Sequence, residues 1–262
     1  MKKELIIVNP LEFPREFRSL INQAQAVYDT SSSPQARVYF IDTKQGYFLK
    51  RAKLGSLQKE AELTMYFFQK GLAQEVISYL SEGEDWLLTA KVDGKDASSE
   101  CYLADPKHLC HILAKSMRAL HDMKPVDGLL PQKISSYLKE VEEGYKQGRF
   151  SPDYLLSHQK HETAEQAYQQ VQEFSKLLKS DTIVHGDFCL PNLILKDWKF
   201  EAFIDWDHAG LGDKHIDLYW VLWSLKRNLG TDIYRDYFLD CYGRGNVNMP
   251  LLEAISYFEV FG

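Results

Sequence analysis

Several things are missing from this 262-residue chain. Its four cysteines, Cys101, Cys110, Cys189 and Cys241, have no paired spacing, which argues against a zinc site or a disulfide framework. No apolar stretch approaches the roughly 20 residues of a membrane span, and Leu5–Val8 is too short for a secretion signal. A reducing, cytoplasmic setting is therefore expected. Positive charge is not in excess: 31 Lys and Arg stand against 37 Asp and Glu, a net charge of −6. Nucleic acid and anionic membrane are thereby disfavoured as partners, and a cationic small molecule is favoured. There is no internal repeat, low-complexity tract or long flexible linker. Nor is there a glycine-rich loop of the protein-kinase or Walker kind.

What the chain does have is aromatic mass: fifteen Tyr, fourteen Phe and five Trp, anchors that argue against disorder. The first ninety residues read as mixed α/β. Arg37–Asp42 and Gly46–Ala52 are β-rich and joined by a short turn, as in a hairpin. Leu57, Ala61, Met65, Phe68 and Leu72 recur at helical spacing, and Trp86–Val92 reads as a strand ending at Asp93-Gly94. The remainder is mainly helical. Asp105-Pro106 opens a helix lined by Leu109, Ile112, Leu113, Met117 and Leu120. Further helices are expected over 131–147, 152–178, 216–229, 232–242 and 251–258, with short strands at 183–184 and 200–204. The sum is an α+β, bilobal architecture: a small β-rich N-lobe over 1–92 and a larger helical C-lobe over 93–262. Nucleotides commonly bind in a cleft between such lobes.

The chemistry concentrates in His185-Gly186-Asp187, followed by Asn192 and, after an apolar run, by Ile204-Asp205. Phosphoryl transfer needs an acceptor for the incoming hydroxyl's proton and oxygen ligands for magnesium. Asp187 is the candidate base; Asn192 and Asp205 are the candidate metal ligands. Singly, each is a common loop or strand-end residue; the combination is rare. Lys50 lies in the strand Tyr47-Phe48-Leu49-Lys50, where an ammonium among apolar neighbours needs a partner. Glu60 on the next helix is the first candidate and Glu62 the fallback, with nucleotide phosphates as the other counter-charge. Phe48 shares the face of Lys50 and either stacks on a base or packs in the core. The polar turn Ser31–Arg37, which includes Ser33, is the candidate phosphate loop. Asp207 lies near enough to touch metal or substrate, whereas Asp213 and Asp217 read as loop and helix caps. His108/His111 and His158/His161 read as solvated helix faces, His185 as a brace and Cys189 as a packed thiol.

The segments Ile183–Asp197 (IVHGDFCLPNLILKD), Phe203–Gly210 (FIDWDHAG) and Asp213–Trp220 (DKHIDLYW) resemble the aminoglycoside 3′-phosphotransferase family, small-molecule kinases with a protein-kinase-like fold. Upstream, Ser33–Tyr39, the YFLK strand and Leu57–Phe67 look like the family's nucleotide loop, lysine strand and glutamate helix. The resemblance implies ATP, with GTP as the alternative, and Mg2+ as cofactors. It implies Asp187 as base, Asn192 and Asp205 as magnesium ligands, and Lys50 as the phosphate lysine held by Glu60. Phe48 would stack on adenine, and Ala90 and Val92 would offer hinge backbone to the base edge. Glu259 and Phe261 match the family's C-terminal substrate residues, while Phe258 stands where an acid is often found and Gly262 extends the end. Glu259, Asp207 and acids among residues 151–165 are candidates for a wall that binds a polyamine. The implied reaction is transfer of the ATP γ-phosphoryl group to the 3′-hydroxyl of a kanamycin-type aminoglycoside, conferring resistance, by a monomer or weak dimer. Two alternatives remain: the same chemistry on choline, a sugar, a macrolide or a metabolite, and a nucleotide-binding module without catalysis.

Overall fold

The computed structural model describes residues 3–30, 32–33, 35–125, 128 and 130–262. These fall into two compact units, one running through Asp96 and taking in Leu193–Asp207, the other comprising Ala97–Asn192 and His208–Gly262. The units are thus discontinuous in sequence, unlike a linear division at residue 92.

The first unit is built on a six-stranded antiparallel sheet of β1 (Lys3–Ile6), β2 (Ala26–Thr30), β3 (Ala36–Asp42), β4 (Tyr47–Lys53), β5 (Val76–Glu82) and β6 (Glu84–Ala90), in the order β1-β2-β3-β4-β6-β5. Alternation along β4 gives the sheet two working faces. Leu49 points to one face, where it packs with Tyr39, Ile41, Trp86 and Leu88 against Phe17 and Ile21 of helix α1 (Arg15–Gln23). Ala52 points to the other, under helix α2 (Gln58–Phe68), with Leu57, Ala61 and Leu87. Lys50 and Phe48 share the α2 face. Strands β7 (Lys95–Asp96), β9 (Leu193–Lys196) and β10 (Lys199–Phe203) form a small second sheet in the same unit. The β9–β10 turn places Asp197 and Trp198 both at positive φ, 49° and 61°, the twist that suits a two-residue hairpin.

The phase expected for α2 was off. Met65 and Phe68 are exposed, at 42% and 44%, and the buried residues are Glu60, Ala61, Leu63, Thr64 and Phe67. A glutamate occupies the inward face, which a purely apolar stripe does not register.

The second unit holds α3 (Glu100–Leu103), α4 (Pro106–His121), α5 (Ile134–Lys146), α6 (Ala164–Phe174), α7 (Lys214–Leu229), α8 (Arg235–Tyr242) and α9 (Met249–Glu259). A two-stranded sheet pairs β8 (Thr182–Val184) with β11 (Gly210–Gly212). Asp105 caps α4 as expected, accepting from the His108 N–H at 3.1 Å. The helix expected over 152–178 is shorter: residues 152–154 make a single 3-10 turn and α6 begins only at Ala164. Thr163 and Gln166 form a capping box that fixes that start. Val141, Val171, Phe258 and Phe261 lie in this unit's aromatic core, where Tyr145 stacks on Tyr168 at 3.9 Å. No helix among the described residues is long and apolar enough to cross a membrane.

Candidate active site

Lys50 sits on central strand β4, in register with Val38 on one side and Leu87 on the other. Its Nζ donates to Glu60 Oε2 at 2.8 Å and to Asp205 Oδ1 at 2.9 Å. Glu62 instead accepts from Gln58 at 2.8 Å on the exposed side of α2, so Glu60 is the partner of the lysine. Burial alone would lower the Lys50 pKa; Asp205 and Glu60 outweigh it and raise it, so the ammonium stays charged. Burial pushes Glu60 up to about 7, against the pull of Lys50, and Asp205 and Asp207 add to the rise. A single ammonium thus answers several carboxylates, an arrangement that suits a further cation.

Two devices hold this triad. Helix α2 has no side-chain cap of its own. The fully buried Asp85 supplies one from the β5–β6 hairpin, accepting from the Leu57 N–H at 2.8 Å, from Tyr79 at 3.0 Å and from Ser81 at 2.7 Å. On the other side Trp206 stacks on Phe67 of α2 at 3.9 Å and its indole N–H donates to the Phe203 carbonyl. Between them Asp205 is held at φ 68°, a left-handed backbone uncommon outside glycine and a mark of imposed geometry.

The second unit presents Asp187 on the loop after β8. Asn192 Nδ2 donates to Asp187 Oδ2 at 2.8 Å and to its carbonyl at 3.0 Å. With its nitrogen so committed, the Asn192 side-chain oxygen is the atom left to ligate a metal. The loop is braced from below by Asp217, which is fully buried. Asp217 accepts from the backbone N–H of His185 and of Gly186, both at 2.8 Å, and lies 3.0 Å from His121 Nε2. Because a carboxylate only accepts, Nε2 of His121 is the donor; in the neutral imidazole, Nδ1 then accepts from the Tyr242 hydroxyl at 2.9 Å. Gly186 has φ 84°, and a Cβ there would meet the His208 carbonyl oxygen at 2.4 Å. His185 is buried and its Nδ1 faces the Asp187 N–H at 3.4 Å, a bracing position. The Cys189 thiol is pushed up by burial and by Asp187, as for a packed thiol rather than a nucleophile.

The other expected positions divide. Phe48 is half-buried on the Lys50 face, its ring 5.1 Å from Phe40. Ala90 ends β6, and its N–H is taken by the Glu75 carbonyl at 2.9 Å; Val92 follows, half-buried. Ser33 turns inward: its Oγ accepts from the N–H of Gln35 and Ala36, both at 3.2 Å. Ser31 and Pro34 of that turn lie outside the described residues. Asp207 is half-buried, and its charge adds to the rise of Glu60.

Glu259 is buried and accepts from the Tyr137 hydroxyl at 2.7 Å. Burial raises it to about 7; Tyr137 and Trp220 hydrogen bonds oppose that, and Glu140 and Asp187 add to it. Phe261 is a correction. Its ring is fully buried among Tyr145, Phe150 and Tyr168 and has no surface to offer a substrate. Its role is to seat the C-terminal turn on Gly144, where a Cβ would meet the Phe261 carbonyl oxygen at 1.8 Å. Of the acids of 151–165, Asp153 is exposed 3.9 Å from Lys160, Glu162 accepts from Tyr257 at 2.7 Å, and Glu165 is exposed in the first turn of α6.

Asp85, His121 and Ser224 were not singled out from the sequence. Ser224 Oγ accepts from the Leu190 N–H at 3.0 Å and so ties the loop carrying Asp187 to α7. Asp85 ends an acidic, turn-like stretch, Glu82-Gly83-Glu84-Asp85, and nothing in that stretch shows that it folds inward. Among the described residues no cluster of three or more His, Cys, Asp or Glu could hold a metal by itself. The Asp205 carboxylate of the first unit and the Asn192 amide oxygen of the second are each of the hard-oxygen type that magnesium takes.

An α+β chain with a buried Lys-Glu pair and a braced Gly-Asp loop is a kinase-type transferase. A family model described as "Phosphotransferase enzyme family" matches residues 31–249. A probable aminoglycoside 3′-phosphotransferase of Lactococcus lactis subsp. lactis is 44% identical over 99% of this chain and 98% of its own. An aminoglycoside 3′-phosphotransferase of Niallia circulans is 27% identical over 88% of this chain and 90% of its own. Among solved structures, a Streptomyces rimosus aminoglycoside phosphotransferase in complex with ADP and streptomycin superposes with a TM-score of 0.74 at 17% identity, covering 97% of this chain and 99% of that one. The chain belongs to the phosphotransferase enzyme family, in the group of the aminoglycoside 3′-phosphotransferases, as the catalytic motifs indicated.

Proposed function

We propose that this chain transfers the γ-phosphoryl group of ATP, with magnesium, to the 3′-hydroxyl of a kanamycin-type aminoglycoside and thereby confers resistance. The observation that carries the reading is Asp187, a carboxylate oriented by Asn192 on a loop that the buried Asp217 holds through two backbone amides. Asp187 would orient the acceptor hydroxyl and take its proton as the oxygen bonds to the γ-phosphorus. The bond from that phosphorus to the ADP oxygen breaks, and a phosphate ester and ADP result. Lys50, fixed by Glu60, would pair with the phosphates in the N-terminal part, with Phe48, Ala90, Val92 and the Ser33 turn disposed toward the nucleotide. When bound, magnesium supplies neutralisation of phosphate charge; Asn192 and Asp205 would hold it. Glu259 would meet a substrate amine, and Asp207 remains a candidate for the same. The 44% identical relative, named a probable aminoglycoside 3′-phosphotransferase, supports the acceptor class.

The test is ADP release with magnesium-ATP and kanamycin, beside tobramycin, which lacks the 3′-hydroxyl. Turnover with kanamycin alone, abolished by Asp187→Asn, is expected. Equal turnover with both would overturn the 3′ assignment; turnover with neither would overturn the acceptor class.

A further inference from the structure

Wholly within the second unit, the segment 153–160, the C-terminal half of α7, the start of α8 and one turn of α9 enclose a cavity of about 560 Å³. That is the size of a small-molecule pocket. Helix α7, which forms one wall of it and carries the lining residue Tyr219, also holds the loop bearing Asp187 through Ser224. The Tyr219 hydroxyl donates to the Tyr154 carbonyl at 2.6 Å, and it is raised by burial and then by the charge of Glu259, the group that itself feels Asp187. Tyr154, Tyr219, Trp223 and Tyr234 are its aromatic lining residues, and the rings of Tyr154 and Trp223 lie 5.6 Å apart.

The charge of this cavity is not that of a polyamine site. Four cationic side chains line it, Lys160, Lys226, Arg227 and Arg235, against three carboxylates. Each carboxylate already has a base: Asp232 has Lys226 at 3.3 Å, Glu253 has Arg235 at 3.2 Å, and Asp153 has Lys160 at 3.9 Å. Arg227 is the surplus. Its guanidinium lies 5.1 Å from the Trp223 ring and, among the described residues, forms no ion pair. An ammonium group entering here meets one more cationic side chain than there are carboxylates, and each carboxylate already faces a base.

We propose that Arg227 determines acceptor specificity: the cavity takes the remote part of the acceptor, stacks its apolar face on Tyr154 and Trp223, and selects hydroxyl compounds with few amines over amine-rich ones. This rests on the reading that the second unit binds the acceptor. The aromatic rings provide affinity that needs no charge, and Arg227 penalises each further ammonium through a repulsion that salt weakens.

The experiment compares neomycin with ribostamycin, which keeps the ring bearing the 3′-hydroxyl but lacks the remote diamino sugar, on wild type, Arg227→Gln and Arg227→Glu. Wild type is expected to favour ribostamycin by about fivefold in kcat/KM, the scale of one partly exposed charge pair. Arg227→Gln should narrow the ratio and Arg227→Glu invert it. The change should fall in the acceptor KM, leave the ATP KM alone and shrink with added salt. An unchanged ratio in Arg227→Glu, with circular dichroism reporting an intact fold, overturns the proposal. Absence of turnover in every form would count against the proposed function instead. Calorimetric binding of the same two compounds then decides this inference: tighter neomycin binding by Arg227→Glu supports it, and no gain overturns it.

Discussion

Replacing Asp217 by Asn should cost both stability and turnover, although the residue touches no substrate. The carboxylate is fully buried and accepts three hydrogen bonds, two from loop amides and one from His121. An asparagine keeps one oxygen. Turned one way it retains His185 and His121 and sets an amide NH2 against the Gly186 N–H. Turned the other way it keeps Gly186 and loses two bonds. A hydrogen bond to a charged acceptor contributes about 1.5–3 kcal/mol, and a stranded buried donor costs about 1–3. The expected loss is about 2–4 kcal/mol, or a Tm lower by about 5–10 °C for a chain of this size. Thermal denaturation measures the first effect. Hydrogen exchange at the His185 and Gly186 amides, which should accelerate, locates it. Turnover should fall at temperatures where the variant is still folded, because the loop carrying Asp187 is no longer fixed. Asp187→Asn is the contrast: inactive, with its Tm little changed. If Asp217→Asn melts with wild type and the two amides keep their protection, the brace does not hold the loop and the reasoning fails.

Glu259 carries a pH dependence of stability. Its folded pKa is raised from 4.5 to about 7, so folding favours the protonated acid. The associated stability is fully present below about pH 4.5 and is lost as pH rises through about 7. That loss amounts to at most about 3 kcal/mol at 1.36 kcal/mol per pH unit. Glu259→Gln should therefore flatten the fall in Tm between pH 5 and 8 relative to wild type, and an unchanged slope would contradict the assignment. Glu60→Gln should leave Lys50 with Asp205 alone and raise the KM for ATP more than the KM for the acceptor, as steady-state kinetics would show; an equal rise in both would argue for general loosening.

Much of the chemistry was legible because it is short-range in sequence. The stretch from His185 to Asp205 carries the carboxylates and the carboxamide at fixed spacing, and the alternation of β4 places Lys50 and Phe48 on one face. The Lys50–Glu60 pair spans only ten residues and follows from a strand succeeded by a helix. What was not legible depends on distant contacts. Asp85 caps a helix that begins 27 residues earlier in the chain. The edge strand Lys3–Ile6 exists only because β2 offers it an edge, and three of its four residues are exposed, so no apolar alternation marks it. The acids of 151–165 looked like an amine-binding wall because composition does not reveal partners. Glu162 meets the Tyr257 hydroxyl, 95 residues away in α9, and Asp153 faces Lys160 of the same loop. Phe261 matched a motif by position, yet its ring had to fill the core of a small aromatic cluster.

The lysine triad shows how burial assigns roles to chemically similar groups. Lys50 donates to two carboxylates at nearly equal distances, but the Glu60 side chain is 5% exposed and that of Asp205 is 48% exposed. Losing Lys50 would leave Glu60 charged in a poorly solvated place, so that contact is costly to break. Water already screens Asp205, so exchanging its lysine contact for another cation costs little. Glu60 is therefore the permanent holder of the lysine and Asp205 the replaceable one. In the proposed function Asp205 would release an ammonium to take a metal, and its exposure suits that exchange. Its left-handed backbone, clamped by the Phe67–Trp206 stack, keeps its position fixed while its partner changes. On this argument the spacing of the motif sets which groups can meet, and solvent access decides which of them can let go.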